Sequence, residues 1–507
     1  MSSCICSTGD LIVWVILCVL LVISVTVTIS LGPTPFCIIL AIGIFCFCIF
    51  LHPSRNSNRV HRKAHADKTT SAVSSVANPA NKEERIGYLD NLKSALTLFV
   101  VLHHVSGMFA GSGWYWTISI GNYHQFFNQI GGPFMMMNQA YFISLFFFIS
   151  AYLTPSSFDR KTKWPFLMGK FWRLGWPFLV YLFIAGPCLN LVIQVIADGN
   201  ASEFSYAPDA GPVWFVAWLL ILNMAYCLFG DPGWTMPFPR MSTLVLLGVF
   251  LGLVNVALMS TGMTNFMFMP ISFGSLPFVI LNFTGGILAK RNNWLDIIHN
   301  LEHGTILFVR LFTVGFALVL YGFGFFCFVE ERKEFDFWIP TNEGDDGNYD
   351  DEEEADLSIS TVDIISFIIL NMLFGIFCFT CSITAIHLFS KNLKSTGPYS
   401  KYFSEASYTV YLIHGWTITL VGWSWFLILG AMGDEVHWRS NSRHSNSEIK
   451  STWSEVNWRA NSRASSTEIE STWLIFSGFV YTAVLSNLIT WPIAHEIRKL
   501  PVLKTML

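Results

Sequence analysis

The sequence predicts an all-α integral membrane protein, with ten membrane helices in its core and a two-helix membrane hairpin ahead of them. Three observations carry this expectation. Of the 507 residues, 53% are hydrophobic and only 13% are charged, about half the roughly 25% that wets the surface of a soluble domain. The mean hydropathy is +0.49, and several stretches exceed the ~18 apolar residues that carry a helix across a bilayer. Finally, the lysines and arginines gather in every second short loop along the chain, so that they fall on one side, as cytoplasmic retention of positive charge requires.

The first two apolar runs, near 11–31 and 35–51, are joined by Gly32-Pro33-Thr34-Pro35. Asp10, with no basic residue, precedes the first run, and a second run follows closely, so residues 1–51 read as an embedded hairpin and not a cleaved signal peptide. Residues 52–87 are polar and carry Arg55, Arg59, Arg62, Lys63, Lys68, Lys82 and Arg85. That composition predicts a disordered basic linker. The membrane domain, 88–497, holds ten further spans, near 92–111, 138–155, 177–197, 213–229, 241–259, 271–289, 305–329, 362–388, 407–432 and 473–495.

If the linker is cytoplasmic, so are the loops with Arg160, Lys161, Lys163, Lys170 and Arg173, with Arg240, with Lys290 and Arg291, and with Lys391, Lys394 and Lys401. The tail 498–507, with Arg498, Lys499 and Lys504, ends on that side, so both termini are expected in the cytoplasm of an endomembrane or plasma membrane. The opposite side receives the acidic loop 330–361 and the glycosylation sequon Asn200-Ala201-Ser202; a second sequon, at Asn282, falls inside a span. The loop 433–473 departs from the charge alternation. It repeats Glu435-Val-His-Trp-Arg…Ser-Thr-Trp453 as Glu455-Val-Asn-Trp-Arg…Ser-Thr-Trp473, which reads as a duplication in a tolerant loop.

A net charge of −4 excludes an electrostatic claim on nucleic acid. The 11 cysteines lie mostly in apolar runs, where cysteine packs as a small hydrophobe. Cys378 and Cys381 lack a second Cys/His pair, so no metal site is expected.

Ionisable groups inside a bilayer are costly, so they mark function. In the first core span, eleven steps of about 100° separate Lys93 from His104, three turns plus about 20°. The two side chains therefore share a face, with His104 roughly 16 Å deeper, while His103 points aside to pack against a neighbour. His414 opens the ninth core span from the same side, about one to two turns in. An imidazole takes a proton from a hydroxyl near neutral pH, the work of a general base; the plain alternative is a hydrogen bond across the bundle. Lys170 and Arg173 stand one turn apart at the start of the third span, a pair suited to phosphate.

Taken in order, Leu89-Asp90-Asn91-Leu92-Lys93 with His104, Phe146-Phe147-Phe148-Ile149-Ser150-Ala151-Tyr152-Leu153, Lys170-x-x-Arg173 with Pro177, Gly211-Pro212-Val213-Trp214-Phe215, and Ser407-Tyr408-Thr-Val-Tyr411-Leu-Ile-His414 resemble acyltransferase family 3, a family of membrane proteins that includes sugar O-acetyltransferases and glucan-modifying enzymes. The likeness spans roughly 85–495. It departs at Lys93 and Lys170, where the family more often has Arg, and at Ala151, where Gly is usual. The resemblance implies a ten-helix core and an O-acyltransferase. Such an enzyme would move an acyl group, acetyl for example, from cytoplasmic acyl-CoA to a hydroxyl of a carbohydrate or lipid-linked acceptor. It implies His104 as base or acyl carrier, His414 in support, Lys93, Lys170 and Arg173 on the donor's phosphates, and no tightly bound cofactor. Two alternatives stand beside it: a proton-coupled transporter or exporter using the intramembrane histidines, and a degenerate family member acting as scaffold or sensor.

Overall fold

The structure, a computed structural model, describes residues 86–109, 116–119, 130–198, 204–229, 235–259, 265–266, 269–270, 275–329, 361–394, 397–432, 437–440, 454–456 and 468–500. The expected hairpin, nearly all of the basic linker, the acidic loop and most of the duplicated loop lie outside these. The long helices are α1 (Gly87–Phe109), α2 (Gly132–Tyr152), α7 (Trp214–Phe229), α8 (Met241–Met259), α9 (Ser275–Arg291), α11 (His303–Val329), α12 (Thr361–Asn392), α13 (Pro398–Met432) and α14 (Glu468–Ile497). Two short helices, α3 (Thr154–Asp159) and α10 (Trp294–His299), lie between them. The third crossing is jointed, running α4 (Lys163–Lys170), α5 (Trp176–Val180) and α6 (Gly186–Asp198). Among the described residues nine helical stretches are long and apolar enough to cross a membrane, and α9, at 17 residues, is about 26 Å long. The protein is an all-α integral membrane protein.

Over their described residues the expected spans are helical; most begin a few residues earlier than expected, and two begin much earlier. The third crossing begins at Lys163 instead of 177, and α13 at Pro398 instead of 407. Hydropathy registers only the apolar part of a helix, whereas the backbone stays helical through its polar end.

The joints of the third crossing have a chemical cause. Wider turns run Phe171–Gly175 and Tyr181–Ala185, where Trp176 N–H reaches back to the Phe171 carbonyl and Gly186 N–H to that of Tyr181. The next residue in each case is a proline, Pro177 or Pro187, which has no N–H for the carbonyl four residues earlier. Tyrosine hydroxyls serve both abandoned carbonyls: Tyr408 donates to Arg173 O and Tyr206 to Phe183 O, each at 2.9 Å.

Small residues set the closest helix contacts. Gly248 and Gly252 of α8 lie against α12, where a Cβ on Gly252 would stand 2.3 Å from the Asn371 carbonyl oxygen and one on Gly375 1.9 Å from that of Gly248. Asn255 donates to Asn371 Oδ1 across this contact at 2.7 Å. On α9, a Cβ at Gly286 would meet the Phe148 carbonyl and, at 2.8 Å, the methyl of Ala151. The alanine at 151 is thus accommodated by the glycine facing it. Asn282, the second sequon, is buried, its amide bonded to the Phe278 carbonyl.

The polar and charged contacts gather at one end of the bundle. Asn91 of α1 donates to Leu393 O at 2.7 Å, Arg291 grips Asp159 with two hydrogen bonds and Tyr226 at 2.9 Å, and Arg498 pairs with Glu405 at 2.9 Å. At the opposite end lies a three-stranded antiparallel sheet in the order β1 (Trp116–Ser119), β4 (His437–Ser440), β5 (Ser454–Val456). It touches α1 and α6. A two-residue pair, β2 (Asn265–Phe266) with β3 (Met269–Pro270), is separate. The duplicated segment, expected as plain loop, therefore contributes strands. The first copy holds β4, and β5 runs into the second, so that Trp438 pairs with Val456 and Arg439 with Glu455. Val, Trp and Thr favour extended backbone, which the charged flanks concealed.

Candidate functional site

Helices α1 and α13 start at the same end of the bundle and pack side by side. Polar pairs join them in sequence: Ser400 donates to Asn91 Oδ1, the Ser94 and Ser407 hydroxyls lie 3.1 Å apart, and the rings of His104 and His414 stand 5.0 Å apart between centroids. The early start of α13 puts His414 about four turns in, not one to two, and so at the depth of His104. Two histidines from helices over 300 residues apart in the chain meet inside the bundle. His414 is 1% exposed, while His104 is partly exposed.

The backbone fixes the chemistry of one ring. His414 Nδ1 lies 2.6 Å from the Tyr411 carbonyl oxygen. A carbonyl only accepts, so Nδ1 carries the proton, and in the neutral ring the lone pair sits on Nε2. Thr417, which donates to the His414 carbonyl and lies 2.6 Å from Thr490, braces the turn against α14. His103 turns toward α2, its ring 5.3 Å from Phe142, and its Nδ1 is buried with no hydrogen-bond partner among the described residues.

Motif side chains that were not expected in the site build the wall beside this pair. Tyr411 donates its hydroxyl to the Pro212 carbonyl, and its ring lies 5.7 Å from Phe215. Phe215 in turn packs 4.5 Å from Phe147 and 5.8 Å from Phe146. The segment that carries Pro212 needs Gly211, whose φ of 42° is left-handed, and Asp209 Oδ1 accepts the Gly211 N–H at 2.8 Å. The segments quoted above from α2, 211–215 and 407–414 thus meet at one place.

The three cations are held separately. Lys93 pairs with Asp90, one turn back, at 2.7 Å. Lys170 reaches Thr154 Oγ1 at 3.3 Å, and Thr154 donates on to Asn223 Oδ1 at 3.0 Å, which ties the third crossing to α3 and α7. Arg173 is exposed, and its backbone is held by Tyr408. Lys170 is thus tethered inward at its tip, while the Arg173 side chain stays exposed. The wider turn at 171–175 changes the angular step between them. Asp90 was readable as an i,i+3 partner; Thr154 and Asn223 carry no signal in the sequence. Among the described residues no three His, Cys, Asp or Glu side chains are placed to share a metal ion.

A family model described as an acyltransferase domain matches residues 86–491. No curated protein and no solved structure matches the chain. The match begins at the foot of α1, ends within α14, and takes in both histidines and all three cations; the chain belongs to acyltransferase family 3 and is a membrane acyltransferase by that membership.

Proposed function

We propose that the protein transfers an acyl group, acetyl for example, from acyl-CoA to a hydroxyl of a carbohydrate or lipid-linked acceptor. The observation that carries this reading is the 5.0 Å approach of His104 and His414 inside the bundle of a family-3 acyltransferase. The imidazole takes the hydroxyl proton as the acceptor oxygen adds to the thioester carbonyl. The C–S bond then breaks, an ester forms, and the CoA thiolate recovers the proton. His104, the more accessible ring, faces the reactants, and His414, with its Nδ1–H anchored to Tyr411, holds an acceptor nitrogen beside it. In a relay version His104 carries the acyl group between donor and acceptor. Lys93, Lys170 and Arg173 receive the donor's phosphates.

The basic end of the bundle is the cytoplasmic one in this reading, by retention of positive charge. The donor then enters among the cations and the acceptor from the side of the sheet. The test is acyl-CoA binding and turnover by purified protein. Wild type consumes acyl-CoA, His104→Ala binds it without turnover, and Lys93→Ala binds it more weakly. Absence of both binding and consumption in wild type overturns the donor assignment.

A further inference from the structure

A second group of ionisable side chains lies where α10, α11 and α12 meet, and it shares no residue with the histidine pair. Arg310 stands on α11, about 10 Å along from its first residue, with Nη2 3.1 Å from His387 Nδ1 on α12. A guanidinium cannot accept, so it donates and His387 Nδ1 accepts. Lys391 Nζ is 3.4 Å from His299 Nε2, and by the same logic Nε2 accepts. His299 Nδ1 then carries the ring proton toward Ser390 Oγ at 3.1 Å, and Ser390 donates to the His387 carbonyl at 2.9 Å. Burial, with Lys391 and Lys394 close by, holds the pKa of His299 below its ordinary value, in keeping with a neutral ring.

Two neutral imidazoles thus take hydrogen bonds from two cations, and neither imidazole offsets a charge. No ion pair joins Arg310 or Lys391 to a carboxylate among the described residues. Asp296 and Glu302, the acidic groups of this stretch, are exposed. The Nε of Arg310 is buried with no acceptor, an uneconomical state for a charged donor. Around it α11 presents apolar side chains outward. Leu307 is 46%, Leu311 63% and Val314 57% exposed, and Leu307 and Val314 lie on the stripe of Arg310 itself. Such a face borders lipid.

We infer that this corner binds the phosphate of an anionic phospholipid, with the head group on Arg310 and Lys391 and the acyl chains along Leu307, Leu311 and Val314. The guanidinium fork suits phosphate oxygens, and a cationic cluster at the basic end of a membrane bundle meets head groups at its own depth.

The full chain in phosphatidylcholine nanodiscs, with and without phosphatidylglycerol, tests this, read by native mass spectrometry of bound lipid and by thermal unfolding. Wild type retains phosphatidylglycerol and is stabilised by it. Arg310→Gln and Lys391→Gln each cut retention about fivefold, and Arg310→Lys falls between. Lys391 is exposed, so its variant keeps the test valid if Arg310→Gln does not fold. Equal retention by wild type and Lys391→Gln overturns the proposal. So does equal retention of phosphatidylcholine, and so does equal stabilisation by inorganic phosphate in neutral nanodiscs, which assigns the site to a soluble anion.

Discussion

The Tyr408 hydroxyl stands 2.9 Å from the backbone oxygen of Arg173, the oxygen that Pro177, four residues on, cannot serve. One bond joins α13, the ninth crossing, to the bend of the third crossing. Tyr408→Phe is expected to cost about 1 kcal/mol, read as a lower unfolding temperature in detergent, and to raise KM for the acyl donor by loosening the backbone of Arg173. In a Pro177→Ala background an amide N–H becomes available to the same oxygen, and the stability loss from Tyr408→Phe shrinks. Equal losses in both backgrounds would contradict this account.

The two nitrogens of His414 are predicted to separate cleanly. His414→Asn keeps a donor near the position of Nδ1 for the Tyr411 carbonyl but has nothing in place of Nε2. Folding and donor binding are expected to survive while kcat falls about 10²–10⁴-fold. A variant with wild-type kcat would remove His414 from the chemistry and leave it a packing role.

Lys93 is held by Asp90 at 2.7 Å, so its charge is aimed before any ligand arrives. Replacing it by Ala is expected to raise KM for acyl-CoA about tenfold, the effect of losing one phosphate contact, with kcat little changed. Lys93→Arg is expected to restore the affinity, since it keeps the charge and adds a fork. Steady-state kinetics over a range of salt concentrations checks both, because a phosphate contact weakens as salt rises.

Glycines offer a contrast within one protein. Gly252→Val drives a side chain into the Asn371 carbonyl, 2.3 Å from where a Cβ would stand, and is expected to abolish the monodisperse peak in size-exclusion chromatography. Gly315→Ala meets nothing within 4 Å and is expected to elute and unfold like wild type.

How much of this was legible beforehand depended on whether the signal was local. Apolar runs of helix length gave each crossing, because a bilayer leaves the backbone no other solution. The shared face of Lys93 and His104 followed from helix rotation alone. The depth of His414 did not, because a hydropathy window cannot register the polar start of α13 at Pro398. The partners of Pro177 and Pro187 were out of reach too: a proline announces an abandoned carbonyl but not the tyrosine that will serve it. Arg310 and His387 are a different case. Both lay inside expected spans, 305–329 and 362–388, and the rule that singled out His104 applied equally to them.

The order of the outer sheet has an evolutionary consequence. Its middle strand lies in the first copy of the repeat and its rim strand at the junction with the second, so the sheet draws on both copies. Loss of one copy would shorten the sheet by a strand and leave the membrane helices untouched. The sheet end of the bundle can therefore change by a twenty-residue copy, while the histidines at the centre of the bundle stay fixed.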